Sequence, residues 1–224
     1  MLVFDVNETL LDLAALDEPF EQVFGSKAVR GEWFDAFIRS ALLSTAIGPY
    51  VPFGKIGRSA LEAVAARHGR TLGDAEAQRI FGRLRELPAH PDVRPALERL
   101  RASGYRLAAL TNSTTEVEEA QLANAGIREL FEQALSADRV QRLKPAPEPY
   151  RMAAERMGVG VGGMRLIAAH DWDVAGAMRA GCAAAFVARP GRQLDPLFPA
   201  PDIVGPDLGA VADQILAMES SGTQ

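Results

Sequence analysis

The sequence lacks most features of secreted, membrane-spanning and nucleic-acid-binding proteins. Cysteine occurs once, as Cys182, which excludes an internal disulfide and a multi-cysteine zinc site. No apolar run reaches the roughly 20 residues that span a bilayer, and no basic segment precedes the first apolar residues. The formal net charge of −5 and the lack of a basic run argue against a nucleic-acid partner. We therefore expect a cytoplasmic protein that binds neither nucleic acid nor a membrane.

Short apolar runs alternate with segments of helical periodicity. Apolar residues make up 48% of the 224 residues, enough for one large domain or for a core domain with a smaller companion. The alternation predicts an α/β fold with a Rossmann-like parallel sheet. The predicted strands are Leu2–Phe4, Arg106–Leu110, Glu132–Ser136, Arg165–Ala168 and Ala184–Val187, and the predicted helices are Asp92–Ser103, Thr115–Ala125, Pro147–Met157 and Val174–Ala180.

One long segment breaks this alternation. Residues 14–87 show only helical periodicity, and they are too many for an ordinary connection between two strands. We therefore expect a helical cap subdomain at 14–87, inserted into a Rossmann-like catalytic core formed by 1–13 and 88–218. The small polar residues at 219–224 predict a disordered tail.

Polar side chains stand at the ends of four successive predicted strands. Each has an ordinary alternative as a helix cap or a solvated side chain, but four such clusters together predict one crevice at the carboxyl edge of the sheet. They are Asp5 after the first strand, Thr111 and Asn112 at the second, Lys144 after the third, and His170, Asp171 and Asp173 after the fourth.

Together these clusters resemble the motifs of the haloacid dehalogenase superfamily, and most closely those of its type II 2-haloacid dehalogenases. The matching segments are FDVNETLLD, LTNST, KPAPEPY and WDVAGA. The resemblance covers nearly the whole chain and implies a hydrolase that converts short 2-haloalkanoic acids to 2-hydroxy acids, with a preference for the L-enantiomer. It implies no cofactor, a small 2-haloacid as the partner, and a family that often forms homodimers.

The resemblance also implies roles for the strand-end residues. Asp5 would attack the substrate carbon and form an ester that water then hydrolyses. Lys144 would keep the Asp5 carboxylate ionised, and Asp173 would position Lys144 and the water. Thr111 and Asn112, with backbone amides, would hold the substrate carboxylate.

Two positions differ from the phosphatases of the same superfamily. Those enzymes resemble Asp-x-Asp at the first strand, where this chain has Asn7, and they carry a magnesium-binding aspartate where it has Ala169. An amide cannot shuttle a proton at neutral pH, and too few carboxylates remain for magnesium. We therefore expect a metal-independent reaction at carbon. The alternatives are a small-molecule phosphatase and a non-catalytic member that binds carboxylates or a partner protein.

The chain also departs from the type II pattern itself. Phe34 stands where that family has a halide-binding arginine, and the nearest arginine, Arg39, is supported equally as a functional and as a surface residue. Glu8 stands where that family usually has glycine, and Ala168, Ala169 and His170 stand where it usually has small hydroxyl residues and an asparagine. We interpret Glu8 and His170 as a dyad, as in a branch with a His/Glu pair, in which Glu8 orients the imidazole and His170 activates water. A buried histidine beside a capping glutamate is the alternative.

The remaining candidates are expected to contact the substrate. An apolar lining suits a halogen and a short alkyl chain. The predicted substrate-binding residues are Thr111, Asn112, Phe34, Arg39, Phe53, Tyr150 and Trp172, and no metal-binding residue is predicted.

Overall fold

Six parallel strands form the centre of the protein. The computed structural model describes residues 1–221, and within them the strands lie in the order β3-β2-β1-β4-β5-β6 with every neighbouring pair parallel. The α/β fold with a parallel sheet, predicted from the sequence, is confirmed. The strands are β1 (Leu2–Phe4), β2 (Leu107–Thr111), β3 (Gln133–Ser136), β4 (Arg165–Ala168), β5 (Ala183–Val187) and β6 (Ile203–Gly205).

The strands are apolar because both faces of the sheet are covered. In β1, Leu2 and Phe4 belong to the core on one face and Val3 to the core on the other, and all three side chains are buried. A strand buried on both sides shows a continuous apolar run instead of alternation. β6 is missing from the predicted strands because it has three residues at the edge of the sheet, one of them exposed.

Nine α-helices accompany the strands within the described residues, and the last of them follows β6. Of the helices that follow the first helical segment, α5, α6 and α7 are close to their predicted bounds, and α8 begins three residues earlier than expected, directly after His170. The last helix, α9, is not among the predicted helices. The helices are α1 (Asp17–Phe24), α2 (Val29–Ile47), α3 (Phe53–Arg67), α4 (Asp74–Leu84), α5 (Val93–Ala102), α6 (Thr115–Asn124), α7 (Pro147–Arg156), α8 (Asp171–Ala180) and α9 (Leu208–Ser221).

The segment between β1 and α5 is helical, as its periodicity predicts, and contains α1 to α4. The α2 and α3 helices pack closely, since Trp33 Nε1 donates to Gly57 O at 3.0 Å. An added Cβ at Gly57 would lie 2.9 Å from the Phe37 ring. This contact places the aromatic side chains of α2 and α3 above the carboxyl edge of the sheet. The division into core and cap remains a prediction.

The order of the strands sets the place of a ligand crevice. β2 follows β1 in the chain and lies on one side of it, whereas β4 lies on the other side. Open α/β sheets bind ligands at such a reversal, beyond the carboxyl ends of the strands.

The end of the chain is helical as far as it is described. The disordered tail predicted for 219–224 overlaps the end of α9, which extends to Ser221, and its last three residues lie outside the described part of the chain. No helix within residues 1–221 combines the length and apolar character needed to span a bilayer.

Candidate active site

Asp5 stands at the carboxyl end of β1 and is almost completely buried. Its backbone N–H donates to Ile167 O at 3.0 Å, which continues the β1–β4 pairing through this residue. The Thr9 hydroxyl donates to Asp5 Oδ2 at 2.6 Å, and the same Thr9 oxygen accepts from the Ala169 N–H at 2.9 Å. Thr9 therefore fixes one carboxylate oxygen and joins the loop after β1 to the end of β4.

Lys144 connects the strand ends. Its Nζ lies 2.8 Å from Asp5 Oδ1, 2.6 Å from Asp173 Oδ2 and 2.9 Å from Leu110 O. Only 1% of Lys144 is exposed. An ammonium has three hydrogens, so all three are used inside the protein. The predicted proximity of Asp5, Lys144 and Asp173 is present in the structure.

The charges of these three residues are interdependent. Burial alone would raise the pKa of the Asp5 carboxyl, but Lys144, His170 and the Thr9 hydrogen bond outweigh burial and lower that pKa. Burial would lower the pKa of Lys144, yet the two carboxylates raise it. Burial and the nearby Asp5 raise the pKa of Asp173 despite Lys144. Asp5 is therefore held in the ionised form that a nucleophile requires.

Tyr150 lies behind Asp173 and does not line the cavity. It is fully buried, and its hydroxyl donates to Asp173 Oδ1 at 2.6 Å. This position corrects the substrate-binding role expected for Tyr150. The Tyr150 hydroxyl instead orients the Asp173 carboxylate. Gly176 makes the arrangement possible, because a Cβ there would lie 2.8 Å from the Tyr150 hydroxyl and 2.4 Å from Pro145 Cβ.

Thr111 and Asn112 line the cavity, but their side chains already have protein partners. Asn112 Oδ1 accepts from the Lys144 N–H at 2.8 Å, and Asn112 Nδ2 donates to Lys144 O at 3.4 Å. Thr111 Oγ1 accepts from the Ser113 N–H at 3.2 Å. The Asn112 side chain therefore holds the Lys144 backbone, which leaves one Nδ2 hydrogen and the main-chain N–H of Asn112 for a substrate carboxylate.

The imidazole of His170 lies between two aromatic rings. The Phe34 ring is stacked at a centroid distance of 5.8 Å and the Trp172 ring at 5.2 Å. His170 is 4% exposed and lies two residues after β4, immediately before α8. The two rings fix the plane of the imidazole and direct its Nε2 edge toward the loop after β1.

Three oxygen acceptors surround His170 Nε2. They are Asn7 O at 3.3 Å, Glu8 Oε2 at 3.5 Å and Asp5 Oδ2 at 3.9 Å. Nε2 therefore faces the nucleophile and the loop that follows it, among atoms that accept hydrogen bonds. The structure thus brings the predicted Glu8 and His170 together beside Asp5.

Glu8 has a shorter contact on its other side. Arg192 Nη2 lies 2.7 Å from Glu8 Oε1 and 2.6 Å from Oε2, and the guanidinium stands over the Phe34 ring at 5.5 Å. Glu8 has φ +62°, in the left-handed region where glycine is usual. This conformation explains why glycine occupies the position in the resembling family, and Arg192 holds the side chain that replaces it.

The cavity above Asp5 is small and has aromatic walls. Its volume is about 20 Å³, little more than one water molecule requires. Phe34 and Phe53 lie in its wall as predicted, and the ring of their neighbour Phe37 is tilted against that of Phe53 at a centroid distance of 4.2 Å. The polar lining residues are Asp5, Asn7, Thr111, Asn112, Lys144 and His170, and the aromatic ones are Trp33, Phe34, Phe37, Phe53 and Trp172.

Arg39 lies outside this cavity. It is exposed and lines a shallower pocket of about 290 Å³ on the far side of Phe34 and Trp172, together with Arg192. Because Arg39 does not line the cavity above Asp5, the direct substrate contact considered for it is corrected. Two further residues of the site were not predicted: Thr9, which resembles a helix cap in sequence, and Arg192, whose position no motif marks.

The comparisons with known proteins agree on one family. The family model described as haloacid dehalogenase-like hydrolase matches residues 1–181. A haloacetate dehalogenase H-2 of Moraxella sp. strain B is 28% identical over 216 residues, with 96% of each chain covered. An (S)-2-haloacid dehalogenase of Pseudomonas putida is 26% identical over 217 residues, with 96% of each chain covered.

A solved structure gives the same result. The crystal structure of an L-2-haloacid dehalogenase superposes with a TM-score of 0.90 at 30% identity, and the match covers 96% of this chain and 97% of the other.

Proposed function

The chain belongs to the haloacid dehalogenase-like hydrolases, and within them to the L-2-haloacid dehalogenases, and from this premise we propose how its residues hydrolyse short 2-haloalkanoic acids to 2-hydroxy acids. The observation that carries the mechanism is Asp5, with both oxygens held by Lys144 and Thr9 on the floor of the aromatic cavity. A carboxylate held in this way is ionised and aimed at one point.

In the first step, a carboxylate oxygen of Asp5 attacks C2 of the substrate from the side opposite the halogen. The C–halogen bond breaks, the halide leaves with the bonding electrons, and C2 becomes esterified to Asp5 with inverted configuration. The aromatic walls contributed by α2 and α3 exclude water from this step. Lys144 balances the charge of Asp5 before the attack and that of Asp173 throughout.

In the second step, water attacks Cγ of the Asp5 ester. We infer that His170 removes a proton from this water and later returns it to the departing 2-hydroxy oxygen, while the water oxygen stays on Asp5. The 3.9 Å between His170 Nε2 and Asp5 Oδ2 places the imidazole beside the ester. Glu8 supports a positive imidazole from 3.5 Å and is itself held by Arg192, so the proposed dyad extends to a third residue.

The charges in the site also support a metal-independent reaction. Asn7 Oδ1 is turned toward Gln121 and Ala169 has no side-chain oxygen, so neither offers a ligand where the phosphatases have aspartates. Asp5 and Asp173 both bind the Lys144 ammonium instead. Among the described residues no three His, Cys, Asp or Glu side chains form a metal-binding group.

The size of the cavity favours the smallest substrates. With about 20 Å³ above Asp5, a haloacetate or a 2-halopropionate needs the least displacement of Phe34 and Phe53. A haloacetate dehalogenase is among the relatives of this chain. We infer an order of preference that falls steeply with chain length.

A homodimer and the cellular compartment remain proposals. Leu43 and Ile47 on α2 are 52% and 72% exposed, and Leu197 and Phe198 are 84% and 51% exposed. Leu42 and Phe198 line one cavity of about 720 Å³, which places the end of α2 next to this loop. Exposed apolar surface of this kind is typical of an interface, which light scattering would detect as a dimer mass.

The proposed function is tested by halide release from chloroacetate and from both enantiomers of 2-chloropropionate, with and without EDTA. Asp5→Asn should abolish release, and single turnover of the wild type in heavy-oxygen water should leave the label out of most of the product. Release at an appreciable rate by Asp5→Asn would remove Asp5 from the mechanism, and a strict magnesium requirement would favour phosphatase chemistry.

The role of His170 has a separate test. His170→Ala should release about one halide per active site and then stop, with an adduct on Asp5 visible by intact mass, because only the second step needs the base. Glu8→Gln should show a milder defect. Wild-type turnover by His170→Ala would contradict the dyad, and a failure to form the adduct would assign His170 to the first step.

A further inference from the structure

Asn7 lines the cavity two residues after Asp5, and its side chain is held from behind by a buried glutamine. Gln121, on α6, is fully buried, and its Nε2 donates to Asn7 Oδ1 at 3.0 Å and to Leu84 O at 2.8 Å. Leu84 is the last residue of α4. The glutamine therefore connects the helical segment, the loop after β1 and α6 through a single amide.

The orientation of the side-chain amides of Gln121 and Asn7 follows from the contact between Gln121 and Leu84 O. A backbone carbonyl only accepts hydrogen bonds, so the Gln121 atom facing it must be the NH2 group. The second hydrogen of that NH2 group can then be satisfied only by the oxygen of Asn7. As a result Asn7 Nδ2 faces away from Gln121, and no described residue accepts a hydrogen bond from it.

Most other donors around the cavity are already used within the protein. The three hydrogens of Lys144 Nζ go to Asp5, Asp173 and Leu110 O, and the Thr9 hydroxyl donates to Asp5. The Asn112 amide donates to the Lys144 carbonyl. Of the two amide side chains that line the cavity, only Asn7 keeps both N–H groups for a ligand.

We propose that Asn7 Nδ2 binds the carboxylate of the 2-haloacid, and that Gln121 is the positioning residue that turns this amide toward the cavity. The geometry of the displacement indicates that Asn7 binds the carboxylate of the substrate and does not bind the leaving halide. The halide leaves on the side of C2 opposite Asp5, toward the aromatic wall, whereas the carboxylate projects sideways from C2. Asn7 lies in the same loop as Asp5. It is therefore beside C2, on the side toward which the substrate carboxylate projects.

This proposal rests on the proposed function only in taking the ligand to be a halogenated acid. Binding of a carboxylate without a halogen therefore tests the Asn7 site separately. The probe is propionate, titrated by calorimetry into the folded wild type and variants. Asn7→Ala should weaken propionate about 10- to 100-fold, the effect of losing a hydrogen bond to a charged group. The same variant should raise the KM for 2-chloropropionate similarly while kcat changes by only a few fold.

Two further variants separate hydrogen bonding from shape. Asn7→Asp keeps the shape but replaces the donor with an acceptor, and it should bind propionate no better than Asn7→Ala. Gln121→Leu removes the amide that orients Asn7 and should weaken propionate to a similar degree. Asn124→Ala is the matched control, because Asn124 also lies on α6 and donates to the next carbonyl, Arg85 O, at 2.9 Å without contacting Asn7. It should bind propionate like the wild type.

The outcomes are decisive in either direction. Wild-type propionate affinity in Asn7→Asp would overturn the proposal, and so would a wild type that does not bind propionate. Because Asn7 is only partly buried, its variants decide the matter even if Gln121→Leu fails to fold. Propionate binding through Asn7 without halide release would uphold the carboxylate site and refute the dehalogenase mechanism. Halide release with an unchanged KM in Asn7→Asp would uphold the dehalogenase mechanism and refute the carboxylate site at Asn7.

Discussion

Gly176→Ala adds one methyl group at the point where α8 meets the loop of Lys144. The new Cβ would lie 2.4 Å from Pro145 Cβ, 2.9 Å from Pro145 Cα and 2.8 Å from the Tyr150 hydroxyl, whereas ordinary contact begins at 3.4 Å. The helix and the loop must therefore separate by about 1 Å. Asp173 lies on the same helix, and its 2.6 Å bonds to Lys144 and Tyr150 do not survive such a shift.

Activity and stability should respond very differently to this change. Overpacking costs about 1–3 kcal/mol, and the alanine returns about 0.5–1 kcal/mol through its helix propensity. The melting temperature should fall by less than about 10 °C. A displacement near 1 Å in the site, in contrast, can cost about 100-fold in kcat.

The assay is halide release with calorimetry on the same samples, and Gly82→Ala is the control. Gly82 is also helical, on α4, and an added Cβ there meets nothing within 4 Å. That variant should keep wild-type activity and equal or greater stability. If Gly176→Ala keeps more than about a third of the wild-type kcat, the close approach of α8 to Pro145 does not set the position of Lys144.

Two further predictions concern buried charge. Lys144→Met should abolish activity and cost about 3–5 kcal/mol, or about 6–20 °C in melting temperature, because two buried carboxylates lose their counterion. Without Lys144 burial raises both pKa values, so the deficit should shrink as the pH falls toward 4, and calorimetry showing the same deficit at acidic and neutral pH would contradict this account. Glu118→Gln should have a melting temperature a few degrees above that of the wild type at neutral pH, which corresponds to about 1 kcal/mol. Burial raises the pKa of Glu118 well above its usual value, so ionising it in the folded protein is unfavourable. Its Oε1 accepts from the Leu135 N–H, a bond that the glutamine oxygen can also accept. The gain should increase with pH above the unfolded pKa and vanish in acid, and a thermal denaturation series that shows no such trend would refute it.

The fold and the main catalytic residues could be predicted because both depend on local patterns. A parallel strand buried on both faces has to be a continuous apolar run, and β1, β2 and β4 are such runs. The polar residues that end them must meet, because parallel strands share one carboxyl edge. Asp5, Lys144 and Asp173 were therefore predictable from the order of strands and motifs.

The remaining parts of the site depend on contacts between distant segments. Arg192 reaches Glu8 across 184 positions, and Gln121 reaches Asn7 across 114. Neither belongs to a periodic pattern or a motif, and a buried glutamine on a helix is not distinguishable in sequence from an exposed one. The motif KPAPEPY marks Tyr150 as a site residue, but only the structure shows that its hydroxyl bonds Asp173 and packs against Gly176 instead of facing the substrate.

Glu8 has a strained backbone conformation, and in return its carboxylate lies next to His170 and Arg192. A non-glycine residue at φ +62° costs about 1–2 kcal/mol relative to glycine, and such strain persists only where the surroundings hold it. Arg192 holds the Glu8 carboxylate, and Arg189 donates from Nη2 to Thr9 O at 2.8 Å in the same loop. Both arginines follow β5, so one segment fixes the strained turn from outside. A glycine at position 8 would relax the backbone but would leave Arg192 without its partner and remove the carboxylate nearest to His170. The strain is therefore the consequence of placing a negative charge beside the imidazole, which is the arrangement used in the second step that we propose.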